Sequence, residues 1–227
     1  HELNLKLKSL RIDFNFPNYA AYTDNWNFSE GKSKLLHMSG VRLYRRFADK
    51  DGQAGRLYGH WIQNCPSKLR PYLTFNAKPT VERDFSAMQL FLLYGLAELM
   101  PPEGDLYEFE DVRRYWMKSV LTKSVGARSQ KQAIAALRKD MKETAPGLME
   151  EAESIFDRFW SRHAGVYNLL FQRDSWKELQ YLDSIIALRV LRRLLSQGIV
   201  CIPIHDSFIV QAQYGDQVER AMNESFK

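Results

Sequence analysis

Apolar residues along this chain fall into two patterns. Residues 200–204 and 208–210 are almost continuously apolar and rich in β-branched and aromatic types, which predicts two short buried strands meeting at a bend. Shorter runs at 56–63, 71–75 and 79–84 predict further strands, with Asn76-Ala77-Lys78-Pro79 turning the chain between the last two. Elsewhere the spacing is helical: an apolar helix over 87–99, a long helical segment over 111–142, and amphipathic helices over 148–163 and 178–196. Pro101-Pro102-Glu103-Gly104-Asp105 and Pro146-Gly147 break the helices apart, and Gly198 is the expected stop of the third. Residues 34–47 fit either a strand or a helix, closed by the turn Asp49-Lys50-Asp51-Gly52. Residues 1–32 have no clear period, and the turns Phe16-Pro17-Asn18 and Ser29-Glu30-Gly31 predict an irregular arm packed on the main body. The resulting order is strands, helix, helices, hairpin and a final helix, without repeats or low-complexity tracts.

The bend between the two most apolar strands carries His205-Asp206. A carboxylate there is costly to desolvate unless a cation compensates it, which makes Asp206 a candidate metal ligand. A second acid arrives in a matching context, because Asp84 ends one predicted strand just before the apolar helix. Two such aspartates are the minimum for a two-metal phosphoryl-transfer site. The alternative for Asp84 is a helix cap, its carboxylate accepting backbone N–H groups of the next helix.

These residues resemble the polymerases of the DNA polymerase I type (family A) and the related single-subunit phage RNA polymerases. Asp84-Phe85-Ser86 with Gln89 is similar to their first palm motif, and His205-Asp206-Ser207 to their last. Gly55-Arg56-Leu57-Tyr58 and Gln63-Asn64-Cys65-Pro66 resemble the elements that precede the first motif, in the same order. The resemblance implies an α+β fold: a palm-like antiparallel sheet backed by helices, with a reduced helical fingers lobe. On that reading residues 1–54 are the N-terminal arm, 55–104 the first part of the palm, 105–179 the fingers-like region and 180–227 the last part of the palm. It implies Asp84 and Asp206 as catalytic ligands of two Mg2+ ions, with Mn2+ as the substitute, and nucleoside triphosphates and a primer-template as partners. Arg114 and Lys118 are spaced to lie on one helix face and resemble the pair that grips the triphosphate. Gln89 stands at the sugar-sensing position, and Arg56, Gln180 and His205 where the family contacts primer and template near the growing end. Eight and nine residues after the lysine the family has Tyr-Gly, whereas this chain has Gly126-Ala127. That departure bears on nucleotide selection. The leading expectation is template-directed DNA synthesis; RNA synthesis, template-independent transfer and a non-catalytic relic that binds nucleic acid are the alternatives.

At 227 residues, 45% of them hydrophobic, the chain has material for one substantial core, but not for a proofreading domain or a full thumb; a further protein subunit is the expected source of the latter. The net charge of +5 is compatible with a polyanionic partner. Its distribution is more telling, because Arg113, Arg114, Lys118, Lys123, Arg128, Lys131, Arg138 and Lys139 follow one another with no acid between them. With no acid among them these cations are not expected to be neutralised locally, so Lys123, Arg128 and Lys131 are expected nucleic-acid contacts. Cys65 and Cys201 sit in apolar or proline-flanked contexts typical of buried thiols, which fits a reducing, cytoplasmic setting. No apolar stretch approaches the roughly 18 residues of a membrane span, so no membrane partner is expected. A first residue His1 rather than Met suggests a fragment. His37 and His163 have no partner at a recognised spacing and are expected to be structural.

Overall fold

The computed structural model describes residues 1–15, 38–48, 52–171 and 175–226. In chain order its elements are α1 (Glu2–Ser9), β1 (Ile12–Phe14), β2 (Val41–Phe47), β3 (Ala54–His60), β4 (Leu73–Phe75), β5 (Lys78–Asp84), α2 (Met88–Leu96), α3 (Arg114–Gly126), α4 (Gln130–Thr144), α5 (Ala152–Arg162), α6 (Ala164–Tyr167), α7 (Ser175–Ser196), β6 (Ile202–Ile204), β7 (Ser207–Gln211) and α8 (Gly215–Phe226). The class is α+β, and every strand pairing is antiparallel. Two compact units divide the chain, His1–Ser86 with Asp183–Lys227, and Ala87–Leu182.

The first unit is built on a five-stranded sheet of order β1-β4-β5-β7-β6, beside a separate β2-β3 ribbon. β6 and β7 are continuously apolar because both of their faces are covered. Ile202, Ile204 and Ile209 join Leu73 and Phe75 in a core closed by Leu7, Leu43, Trp61, Ile62, Cys65 and Leu69. On the opposite face α8 lies against β5 and β7. It buries Val218, Ala221 and Met222, a spacing of three and four residues that lines one side of a helix. Phe85 meets Phe208 and Phe226 there, with ring centroids 6.2 and 6.0 Å apart.

Two turns set the register. Asn76 and Ala77, both left-handed (φ 52° and 62°), make the two-residue link from β4 to β5. His205, at φ 56°, begins the equally short link from β6 to β7, where Ile204 pairs with Ser207. In β3, Gly59 has φ 111°, and a Cβ there would stand 2.6 Å from the carbonyl oxygen of Arg42, so the ribbon can only be this close with glycine.

The N-terminal residues differ from the expected irregular arm. Within 1–54, α1, β1 and β2 are regular; α1 buries Leu7 in the core, and Asn4 clamps β2 by donating to the Leu43 carbonyl (2.9 Å) and accepting the Leu43 N–H (2.8 Å). In α1 the sequence misleads, because Leu3, Leu5 and Leu7 alternate with Asn4, Lys6 and Lys8 at a strand period although the segment is a helix. The turns expected within 16–32, the start of the 34–47 element, His37 and most of the 49–52 turn lie outside the described residues.

The second unit is helical. α3 buries Trp116, Met117, Val120, Leu121 and Val125; α4 buries Ile134, Leu137 and Met141; α5 buries Ile155, Phe156, Phe159 and Trp160. The single segment expected over 111–142 is two helices. Ala127 leaves helical geometry, and Ser129 restarts it as the N-cap of α4, accepting the Gln132 N–H at 3.3 Å. His163 is structural, as expected. It is buried, its Nε2 faces the Leu106 carbonyl at 3.1 Å and its Nδ1 faces the Tyr94 hydroxyl at 2.9 Å. A carbonyl can only accept, so Nε2 carries the proton and Tyr94 donates to Nδ1. Among the described residues no helix is long and apolar enough to cross a membrane. Both cysteines are buried, and burial pushes the Cys65 thiol up to about 11 and the Cys201 thiol higher still.

Candidate active site

Asp84 is the last residue of β5 and pairs across the ladder with Ser207, the first residue of β7. Asp206 immediately precedes Ser207, and its carbonyl accepts the Phe85 N–H at 3.2 Å, closing the end of the pairing. Opposed Cα atoms in an antiparallel ladder are about 4.5–5.5 Å apart, so the two aspartates share one end of one strand pair. Asp84 is exposed and Asp206 half-buried. The N-cap position of α2 is Ala87, three residues after Asp84.

Three residues behind the aspartates form a network that sequence reasoning missed. Glu82 lies two residues before Asp84 and therefore on the same face of β5. The buried Ser207 hydroxyl stands 2.6 Å from Glu82 Oε1 and 3.1 Å from the Ile204 carbonyl, and Arg70 Nε lies 3.2 Å from Glu82 Oε2. Glu82 is thereby held by a hydroxyl and a guanidinium. The Gln63 side chain ties the earlier elements to the same hairpin, donating to the carbonyls of Leu57 and Pro203 at 2.9 Å each.

Arg56 and His205 come together around a residue that had been given no role. Asp183 on α7 has 3% of its side chain exposed and takes the Arg56 Nε–H at 2.6 Å. Desolvation raises its pKa; Arg56 opposes the rise, and the Asp206 charge adds to it. His205 is exposed, but the protein atoms around its ring still desolvate it enough to lower its pKa; Arg56 lowers it further, and Asp206 and Asp183 oppose. His205 meets Tyr58 edge-on, centroids 6.1 Å apart. Arg45 completes the cluster, with Nη2 donating to the Ser184 hydroxyl at 2.9 Å and Nε to the Gly55 carbonyl at 2.9 Å. The signal for Asp183 was present in the sequence. It interrupts the apolar row Leu179, Ile186, Val190 on one side of a helix, where an acid needs a partner.

The remaining candidates belong to the second unit. Gln89, the second residue of α2, and Gln180, in α7 one turn before Asp183, are half-buried. Arg114 opens α3 and is engaged by Asp105, whose Oδ2 accepts from Nε and Oδ1 from Nη2 (3.3 Å). Arg114 Cζ and Lys118 Nζ lie 5.1 and 5.7 Å from the centre of the Tyr107 ring. Lys123 is paired with Asp140 at 2.6 Å. The expectation that the basic stretch lacks local neutralisation is therefore corrected: acids just outside it, at 105 and 140, reach two of its eight cations. Helix packing and a loop bring together charges that a linear window separates. Arg128 and Lys131 are exposed.

Among the described residues no group of three or more His, Cys, Asp or Glu side chains could hold a metal ion. Asp84 and Asp206 are a pair, and Glu82 is already engaged. Magnesium is commonly held by one or two carboxylates together with substrate phosphates rather than in a protein cage, so a group of three is not a requirement for it. No protein-family profile matches the chain, and no curated protein matches it.

Proposed function

We propose that this protein adds nucleotides to a nucleic-acid 3′ end, by template-directed DNA synthesis, on a palm-like first unit with a fingers-like helical region. The observation that carries the reading is the meeting of Asp84 and Asp206 at one end of the β5–β7 pair, from motifs far apart in sequence and in the order the polymerase resemblance implies. Asp84 and Asp206 would hold magnesium, and two such ions, when bound, stabilise the attacking oxygen and the leaving pyrophosphate. Arg114 and Lys118 offset the triphosphate charge, and Gln89 meets the sugar. Arg56, fixed through Nε by Asp183, and His205 contact the primer end, and Gln180 is a further primer-template contact on the resemblance alone. Lys123, Arg128 and Lys131 meet the phosphate backbone.

Primer extension with deoxyribonucleotides and with ribonucleotides, with and without template, tests the assignment. Asp84→Asn and Asp206→Asn are each expected to lower magnesium-dependent incorporation by at least a hundredfold while leaving thermal unfolding nearly unchanged, because each removes a ligand and no core volume. Near-normal incorporation by either variant would sink the two-aspartate assignment. A second reading, a relic that binds nucleic acid without catalysis, is favoured by Gly126-Ala127 where the resembling family has Tyr-Gly; binding of primer-template with no incorporation under any nucleotide set would establish it.

A further inference from the structure

We infer that Asp105 sets the phosphate requirement of the α3 cations, holding Arg114 in a clasp that only a ligand reaching both Arg114 and Lys118 displaces favourably. The inference rests on the triphosphate role given above to those two residues.

The clasp is built rather than incidental. Both carboxylate oxygens of Asp105 meet the Arg114 guanidinium, and Oδ1 also accepts the Tyr107 N–H at 3.0 Å. The loop that carries Asp105 is pinned by its own carbonyls: Leu106 accepts from the buried His163 ring at 3.1 Å, and Asp105 lies 3.4 Å from Arg162 Nη2. Tyr107, 4% exposed, supplies the ring that both cations approach. Hydrogen bonding from Arg114 holds the Asp105 carboxyl below its ordinary range, so it stays charged at neutral pH. Arg114 in this state is already satisfied by an anion.

A single phosphate that replaces Asp105 exchanges one oxyanion partner for another and gains little. A chain of three phosphates also reaches Lys118, one helical turn along the same face, and that added contact drives the exchange. Only the fraction of molecules with the clasp open is competent to bind, so the clasp weakens the apparent affinity by that fraction.

Calorimetric titration with inorganic tripolyphosphate and with orthophosphate, in low salt and without metal, tests this directly. Asp105→Asn keeps the acceptor for the Tyr107 N–H and is expected to tighten tripolyphosphate binding on the order of twofold to fivefold, the range of an exposed ion pair. In an Arg114→Ala background the same substitution is expected to have a much smaller effect, the part due to the Asp105 charge acting on Lys118, and Glu108→Gln, which removes an equal charge from an exposed neighbour, is expected to tighten binding less. Unchanged or weaker binding by Asp105→Asn overturns the clasp, as does tightening that is undiminished without Arg114 or is matched by Glu108→Gln. Failure of wild type and Asp105→Asn alike to bind tripolyphosphate overturns the clasp together with the triphosphate role of α3. Normal binding without nucleotide incorporation overturns only the polymerase reading.

Discussion

The Arg56–Asp183 pair gives a single side chain two duties, and they separate with pH. Asp183 is nearly fully buried, so desolvation favours its protonated form, and Arg56 is what keeps the carboxylate tolerable in the folded state. An acid whose folded pKa is raised contributes stability below its unfolded value, and that contribution is lost as pH rises through the folded value. Removing the arginine raises the folded value further and deepens the loss. Arg56→Ala is therefore expected to destabilise by about 3–5 kcal/mol at pH 7, the usual cost of stranding a buried charge, and by clearly less near pH 4.5. Urea unfolding at the two pH values measures it; an equal loss at both would mean that Asp183 does not depend on Arg56. A weakened primer contact in the same variant has to be read against this stability change.

At the scale of elements, the turns decide where the candidate site falls. β5 ends at Asp84 because the two-residue turn at 76–77 starts it in register, and a slip of one position would turn Glu82 and Asp84 to the other face. Ala77 holds a left-handed conformation that its Cβ disfavours by about 1–2 kcal/mol. Ala77→Gly relieves that strain and loses about 0.4–1 kcal/mol through the freer unfolded chain. A net stabilisation of up to about 1.6 kcal/mol is expected in thermal or denaturant unfolding. Destabilisation would show that the turn is not in the conformation that the register requires. The break between α3 and α4 is the other decisive element boundary. It places Arg128 in the short link before a new helix rather than in the middle of a long one, and Ser129 supplies the cap.

For the whole molecule the question is what a basic stretch is for. Among the described residues two of its eight cations have acid partners, Arg114 with Asp105 and Lys123 with Asp140, which lowers the charge it can offer a phosphate backbone. Primer-template affinity is expected to fall with salt, and Arg128→Ala or Lys131→Ala to reduce the slope of log affinity on log salt by about 0.7–0.9 each. Lys123→Ala is expected to change it less, because Asp140 already offsets that charge. A flat salt response would assign the stretch to something other than a phosphate backbone, and a large effect of Lys123 alone would mean that its ion pair opens on binding.

Much of this was legible in the linear chain, because its causes are local. The continuous apolar arms of β6 and β7, the strand that ends at Asp84 and the helix after it follow from apolar spacing and from where Pro, Gly and Asn interrupt it. The pairing of Asp84 with Ser207 was suggested only by the order of motifs; the register itself depends on hydrogen bonds between strands that the sequence does not connect. α1 and β1 were missed because each is short and gains its stability from the core around Leu7 and from pairing with β4, not from its own period. The partners of Arg56, Arg114, Lys123 and Glu82 were likewise decided by tertiary structure. An ion pair depends on distance in space, and a charge pattern along the chain records only distance in sequence.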